Sequence, residues 1–342
     1  MDNFNPVPSG YAPKNILVIR LHSVGDVALT FPYCSSLKKM FPDCNIDYLA
    51  REDISVLPAS LNIFRQVFYI NLEPLESRNI FNKLRKFYRT FKLASALKKI
   101  KYDVVIDLQN NRISRTIRKR INPVYFSEFD RFSAQPASVR TENTFKNAGL
   151  NIAPLYKMEL NARLLSKAKD ILIYNGWDRS KQIFVLNPAG LWKTRNWQIE
   201  NYVRLTSLIS YNYKACFIML GDKRMLEKAN YITSYLTRDL INLVDKTTLA
   251  EAFAIMQFAT AAVSEDSGLM HMAWVSGIPT LTLLGSTRAD WTTPAAPHTF
   301  TLNSSDLDCG NCMSPKCKYN DVHCLTRYSP EFVYDCLKKL LS

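Results

Sequence analysis

Three segments of the chain set a charged side chain beside a glycine directly after an apolar run, the place where α/β proteins hold ligands. The first is Leu21-His22-Ser23-Val24-Gly25-Asp26. Gly25 allows close backbone approach. Asp26 would open the next helix, where a carboxylate can serve as a general base or can simply cap a structural helix. The second, Asn187-Pro188-Ala189-Gly190, runs on through LWKTRNW. With Lys193 and Arg195, the Gly190 loop can neutralise a diphosphate; the bland alternative is a solvated loop with two exposed cations. The third is Ser264-Glu265-Asp266-Ser267-Gly268-Leu269-Met270-His271. Ser267 and Gly268 would present free backbone N–H groups at a helix start, a natural diphosphate site. His271, four residues after Ser267, can share that helix face. Otherwise Asp266 only caps the helix and His271 is packed. Lys246 and Thr247 lie at another strand end, just before the capping box Thr248-Leu249-Ala250-Glu251. Finally, Cys309, Cys312, Cys317 and Cys324 are spaced C-x2-C-x4-C-x6-C, with His323 adjacent. Four thiolates so close could hold a structural zinc, or remain free thiols, or form disulfides on oxidation.

Such residues need a frame. Short apolar runs at residues 15–20, 45–50, 66–70 and 104–108 predict strands, with amphipathic stretches between them, including the basic segment 80–100. After a polar helix near 161–174 and an Asn-Gly turn, the pattern restarts, with strands predicted at 183–187, 215–220, 240–243, 261–264 and 280–284. This alternation predicts an α/β fold with parallel sheets covered on both faces. We expect two Rossmann-like doubly wound domains facing across a cleft, 1–170 and 171–328, divided near 165–182. The closing segment 329–342 reads as an amphipathic helix that can pack back on the N-terminal domain. No short repeat or low-complexity tract is visible.

The chain has 342 residues with 47% hydrophobic content, enough for two folded cores. It lacks an apolar run long enough for a transmembrane helix, and the opening 13 residues are unlike a signal peptide. A cytoplasmic location with mostly reduced cysteines is expected. The net charge of +14 is concentrated: residues 78–120 hold 14 Lys and Arg against Asp103 and Asp107, leaving only +2 elsewhere. Such a block usually faces an anionic partner. Nucleic acid and acidic lipid both qualify, but the aromatics Phe81, Phe87, Tyr88 and Phe91 lack the regular interleaving of a single-strand platform.

Together these motifs resemble the bacterial heptosyltransferases of lipopolysaccharide inner-core synthesis, a family of the GT-B architecture. ILVIRLHSVGDVALTFP is similar to that family's opening, VVIDLQNNRISR to its mid-domain segment, LNPAGLWKTRNW to the start of its donor domain, and VSEDSGLMHMAWVSGIPTLTLLGST to its most specific block; the cysteine tail also matches. The resemblance runs over about residues 15–340 and implies that domain 1–170 binds the acceptor and domain 171–328 the ADP-sugar. It implies that Asp26 is the general base and that Arg195 sits on the donor phosphates. It also implies that Asp266, Ser267, Gly268 and His271 form the donor block, with Thr247 on the adenine side. Gly25, Gly190, Lys193 and Lys246 complete the expected donor set, while Gln109, Arg112 and Arg115 are assigned to an acceptor phosphate or carboxylate. There are departures. His22 stands where the family often has a small residue, and Leu220-Gly221-Asp222-Lys223 lacks a second glycine.

The expectation is therefore an inverting glycosyltransferase that needs no metal for catalysis. It would move a heptose from an ADP-sugar to an anionic lipid-linked saccharide of the lipid A–Kdo type, peripherally at the inner face of the inner membrane. A transferase using another nucleotide-sugar is the nearest alternative. A basic nucleic-acid-binding protein is the rival from another class, although no nucleic acid is expected as partner.

Overall fold

The computed structural model describes residues 4–72, 80–236, 239–294 and 296–342. Arg78, the first cation of the basic block, lies outside them, as do the side chains of Phe81 and Lys83. The chain divides into two compact units, Met1–Asn161 and Ala162–Ser342. The helix Ala162–Tyr174 thus belongs wholly to the second unit, which moves the expected boundary at residue 170 back by one helix.

The first unit holds β1 (Phe4–Asn5), β2 (Asn15–Ile19), β3 (Asn45–Arg51), β4 (Gln66–Ile70), β5 (Val104–Asp107) and β6 (Tyr125–Glu128). Their order is β1-β6-β5-β2-β3-β4, parallel except for the antiparallel edge β1. Central strands such as β2 and β5 read as unbroken apolar runs because helices cover both faces of the sheet. Leu17, Ile19, Leu49 and Val105 pack with Ala94 and Leu97 of the helix Ile80–Lys98 and with Ile117 and Ile121 of the helix Arg112–Ile121.

The second unit repeats the plan with β7 (Gln182–Asn187), β8 (Ala215–Met219), β9 (Leu240–Asn242), β10 (Ala259–Glu265), β11 (Thr280–Leu283) and β12 (Thr299–Leu302). The order β12-β11-β10-β7-β8-β9 is parallel throughout. Each sheet is a doubly wound, Rossmann-like layer. The direction of winding reverses between β2 and β5 in the first unit and between β7 and β10 in the second. Carboxyl ends at such a reversal splay their loops apart and leave a crevice. Asp26 follows β2, the Gly190 loop follows β7, and Asp266 follows β10.

Strands β1, β6 and β12 escaped the sequence reading. The first is only two residues long, and the others are four-residue strands with half-exposed positions, so none gives a clear apolar run. The helix Pro330–Leu341 forms as expected, capped by the Ser329 hydroxyl on the Phe332 N–H. Its packing corrects the expectation of a return to the first domain. Val333, Tyr334 and Leu337 enter the second unit's core beside Leu205, Ile209 and Leu281.

Candidate active site

In the first unit, β2 delivers Arg20 to the winding reversal. The Arg20 guanidinium donates to the Leu108 carbonyl beyond β5, lies 4.9 Å from the Phe129 ring centre, and pairs with Asp26 at 2.9 Å. Asp26 stands at the third position of the short helix Val24–Ala28. It accepts from the Ser23 N–H at 3.0 Å, closing a capping box, so it stabilises the helix start as well as facing solvent. The Asp26 side chain remains 35% exposed while Arg20 is 11% exposed, so the carboxylate is both oriented and reachable. Burial, and then the charges of Arg51 and Arg20, lower the pKa of the neighbouring His22.

Gln109 braces the segment between β2 and Asp26. It is buried, and its Oε1 accepts from the Leu21 N–H at 2.9 Å and the His22 N–H at 3.3 Å. These two bonds fix the loop that leads to Asp26. Behind it, the buried Asp107 accepts from the Asn110 N–H at 2.8 Å, and burial raises its carboxyl to about 6. Arg115 donates to the Asn110 side chain at 2.5 Å, and Arg112 is exposed at the first turn of its helix.

In the second unit, the loop after β7 is clamped from both sides. Glu265, the last residue of β10, is fully buried. It accepts from the Gly190 N–H at 2.8 Å, the Trp197 N–H at 2.7 Å and the Tyr202 hydroxyl at 3.3 Å. Lys228 stands 3.6 Å from Glu265, and donates to the Pro188 carbonyl at 2.6 Å and to Asn196. Burial pushes the Glu265 carboxyl up to about 7 against the pull of Lys228 and the two amides. Gly190 is required here: a Cβ would run into the Arg195 carbonyl and Glu265. Lys193 points to solvent from the same loop.

Arg195 crosses from this loop to the start of the helix Gly268–Val275. It pairs with Asp266 at 2.8 Å, and its guanidinium lies 3.9 Å from the Trp192 ring centre. Asp266 also accepts from the Thr287 hydroxyl at 2.6 Å. The Ser267 hydroxyl caps the helix, and Asn187 at the end of β7 donates to it at 2.6 Å. His271 sits on the next turn, edge-on to Trp274 at 5.0 Å. Lys246 and Thr247 lie beyond the edge strand β9, with the Lys246 ammonium on the Asn242 carbonyl at 2.9 Å. Arg195, Asp266 and Ser267 thus meet at one reversal point, with Gly268 and His271 on the helix that starts there.

The cysteine tail gathers its four thiols, for which a structural zinc, free thiols and disulfides are the three readings. All four thiols line one cavity of about 370 Å³, together with His323, Thr194 and Ser286. They turn to different neighbours: Cys309 lies 3.3 Å from His323 Nε2, Cys317 donates to Asp321 at 3.8 Å, and Cys312 is exposed. Among the described residues, no three His, Cys, Asp or Glu side chains are placed to hold a metal ion. Burial would raise the Cys317 pKa, but the surrounding backbone N–H groups of Tyr319, Val322, Asp321 and Asn320 lower it overall.

Residues 90–323 match the family model described as glycosyltransferase family 9 (heptosyltransferase). The chain belongs to glycosyltransferase family 9. It is 24% identical to lipopolysaccharide heptosyltransferase 1 of Pseudomonas aeruginosa, over 95% of this chain and 98% of that protein. Its fold is similar to that of the family 9 glycosyl transferase from Veillonella parvula, with a TM-score of 0.81 and 19% identity over 98% and 99% of the two chains. E. coli heptosyltransferase WaaC with ADP gives a TM-score of 0.70 at 17% identity, over 95% and 99%. The chain is thus a heptosyltransferase-family enzyme on the double Rossmann-like frame expected. The sequence reading overlooked Arg20, Asn187, Lys228 and Glu265. Glu265 stood inside a quoted motif, but burial on three donors is invisible in a string of letters.

Proposed function

We propose that this family 9 enzyme transfers a heptose from ADP-heptose to an anionic lipid-linked acceptor of the lipopolysaccharide inner core, of the lipid A–Kdo type, with inversion. The observation that carries the reading is the Arg195–Asp266 pair at the helix start formed by Ser267 and Gly268. Arg195 Nε is buried and has no hydrogen-bond partner among the described residues, a donor suited to a phosphate oxygen. Free helix N–H groups add a second anion-binding element. The names of the relatives, which include an ADP complex of a heptosyltransferase, support the choice of donor.

In this reading the donor diphosphate lies on Arg195 and the helix start, with Lys193 beside it and Thr247 and Lys246 toward the nucleoside. Asp266 holds Arg195 in place. The acceptor occupies the first unit near Arg112 and Arg115. Asp26, oriented by Arg20, takes the proton from an acceptor hydroxyl as its oxygen attacks the anomeric carbon. The bond to the ADP oxygen breaks, and the negative charge it gains is stabilised by Arg195 and the helix N–H groups. These cations and amides do the work that a metal would otherwise do. The basic segment would bring the enzyme to the inner face of the membrane, where lipid-linked acceptors reside.

Two measurements test this. Calorimetry should detect ADP binding, and ADP-heptose with an inner-core acceptor should release ADP and give product of inverted anomeric configuration. Absence of ADP binding would overturn the donor assignment; retained configuration would overturn the single-displacement mechanism.

A further inference from the structure

The helix Ile80–Lys98 carries two apolar faces where one would suffice. Thr90, Ala94 and Leu97 are buried against the first unit. On another face, Leu84, Phe87, Tyr88 and Phe91 are 61%, 62%, 64% and 41% exposed. Their spacing of three and four residues aligns them in one stripe along the helix. Phe87 and Phe91 stack at 6.2 Å, so the stripe is a continuous surface. Charge surrounds it. The helix has no Asp or Glu; Arg85 and Lys92 are exposed, and the Arg120 guanidinium lies 4.4 Å from the Phe91 ring centre. The adjoining helix Arg112–Ile121 adds further cations and again no acid.

We infer that this face of Ile80–Lys98 seats the enzyme on an anionic bilayer, with Leu84, Phe87, Tyr88 and Phe91 entering the headgroup boundary and Arg85, Lys92 and Arg120 meeting lipid phosphates. An interfacial helix combines large aromatic and aliphatic side chains with a basic border in this way. Aromatic side chains suit that depth because rings and hydroxyl tips satisfy both media. A second copy of the chain fits less well, since a two-fold contact on this face would set basic borders against each other. A single-stranded nucleic acid fits less well because Leu84, at the head of the stripe, offers no stacking plane. The inference gives a physical form to the membrane contact proposed above and does not depend on the donor.

The test uses the full chain and vesicles of phosphatidylethanolamine with phosphatidylglycerol. Replacing Leu84, Phe87, Tyr88 and Phe91 together by Gln should weaken vesicle binding by about tenfold or more at physiological salt, although every cation remains. ADP release with a deacylated, water-soluble acceptor should be unchanged, which separates docking from catalysis. Equal vesicle binding by variant and parent would overturn the inference. So would a loss of self-association in the variant with vesicle binding intact, which would assign the stripe to a second copy. Phe87→Trp supplies an independent reading in an otherwise unaltered protein. Its emission, read as the difference from the parent with its five tryptophans, should shift to the blue and be quenched by brominated lipid chains, and an unshifted, unquenched difference would also overturn the inference.

Discussion

Asp26 caps its helix, and a single substitution separates that task from the base role proposed for it. Asp26→Asn keeps the size of the side chain but cannot take a proton, so transfer should fall by roughly 10²–10⁴-fold. ADP affinity measured by calorimetry should hold, because Arg195 and Asp266 belong to the other unit. Near-parental turnover would leave Asp26 as a capping residue alone. Glu265 makes a different demand. Its two backbone donors need both carboxylate oxygens as acceptors, and a proton on one oxygen removes an acceptor. With the carboxyl raised to about 7 by burial, the ionised form that holds the Gly190 loop is lost as pH falls through that value. The donor kcat/KM should therefore show an acid limb near pH 7, and Glu265→Gln should be low and lack that limb. A limb unchanged in the variant would place the titration elsewhere. Asp26 and Asp266 were visible as candidates in the sequence because each follows a strand and has a glycine one or two residues away. Glu265 was not, since its role comes from partners about 63–75 residues distant in the chain.

At the scale of elements, the loop after β7 behaves as one piece. Lys228, Glu265 and Asn196 hold its backbone, and Trp197 anchors its far end by donating to the Tyr328 carbonyl at 2.9 Å. Gly190→Ala would force this piece apart, because the new methyl meets backbone rather than a movable side-chain tip. The expected cost is about 1–3 kcal/mol of stability, seen as a lower denaturation midpoint, with a raised KM for the donor. Unaltered values for both would show that the loop can move aside. The central strands were legible because burial on both faces leaves unbroken apolar runs such as Val104–Asp107. The edge strands were not, since Phe4–Asn5 and Thr299–Leu302 are short and partly exposed. The closing helix was legible as an element but not in its destination. Its buried Val333 and Leu337 announce an apolar partner without saying which one.

Each unit of the whole molecule has its own sheet and core, and all the proposed donor contacts except Gly25 fall in Ala162–Ser342. ADP should accordingly protect one half of the chain more than the other. At about 100 times its Kd, a ligand that binds only the folded form adds about 2.7 kcal/mol. Hydrogen exchange with saturating ADP should slow in β7, β10 and the helix Gly268–Val275 far more than in β2–β5. Uniform protection across both units would argue against a donor site confined to the second. The double frame itself was legible from the strand pattern beginning anew near residue 182. The excess charge of residues 78–120 was legible too, but its pairing with an exposed aromatic stripe required the helix to be seen in three dimensions.

The cavity beneath the cysteine tail shares a wall with the loop after β7. The Thr194 hydroxyl donates to the Ser314 carbonyl at 2.6 Å and lies 3.0 Å from the Ser286 hydroxyl, while the Ser286 N–H donates to the Thr194 carbonyl at 3.0 Å. Thr194 is the immediate neighbour of Arg195. Cys317 lines that cavity, and the backbone N–H groups around it favour the thiolate that reacts with an electrophile. A small thiol-directed compound bonded there would push on the wall that carries Arg195, so it could inhibit the enzyme without resembling a nucleotide or a sugar. Covalent labelling of Cys317, located by peptide mass, should weaken ADP binding several-fold, and Cys317→Ser should abolish that sensitivity. Undiminished ADP affinity in the labelled protein would show that the wall yields without moving Arg195.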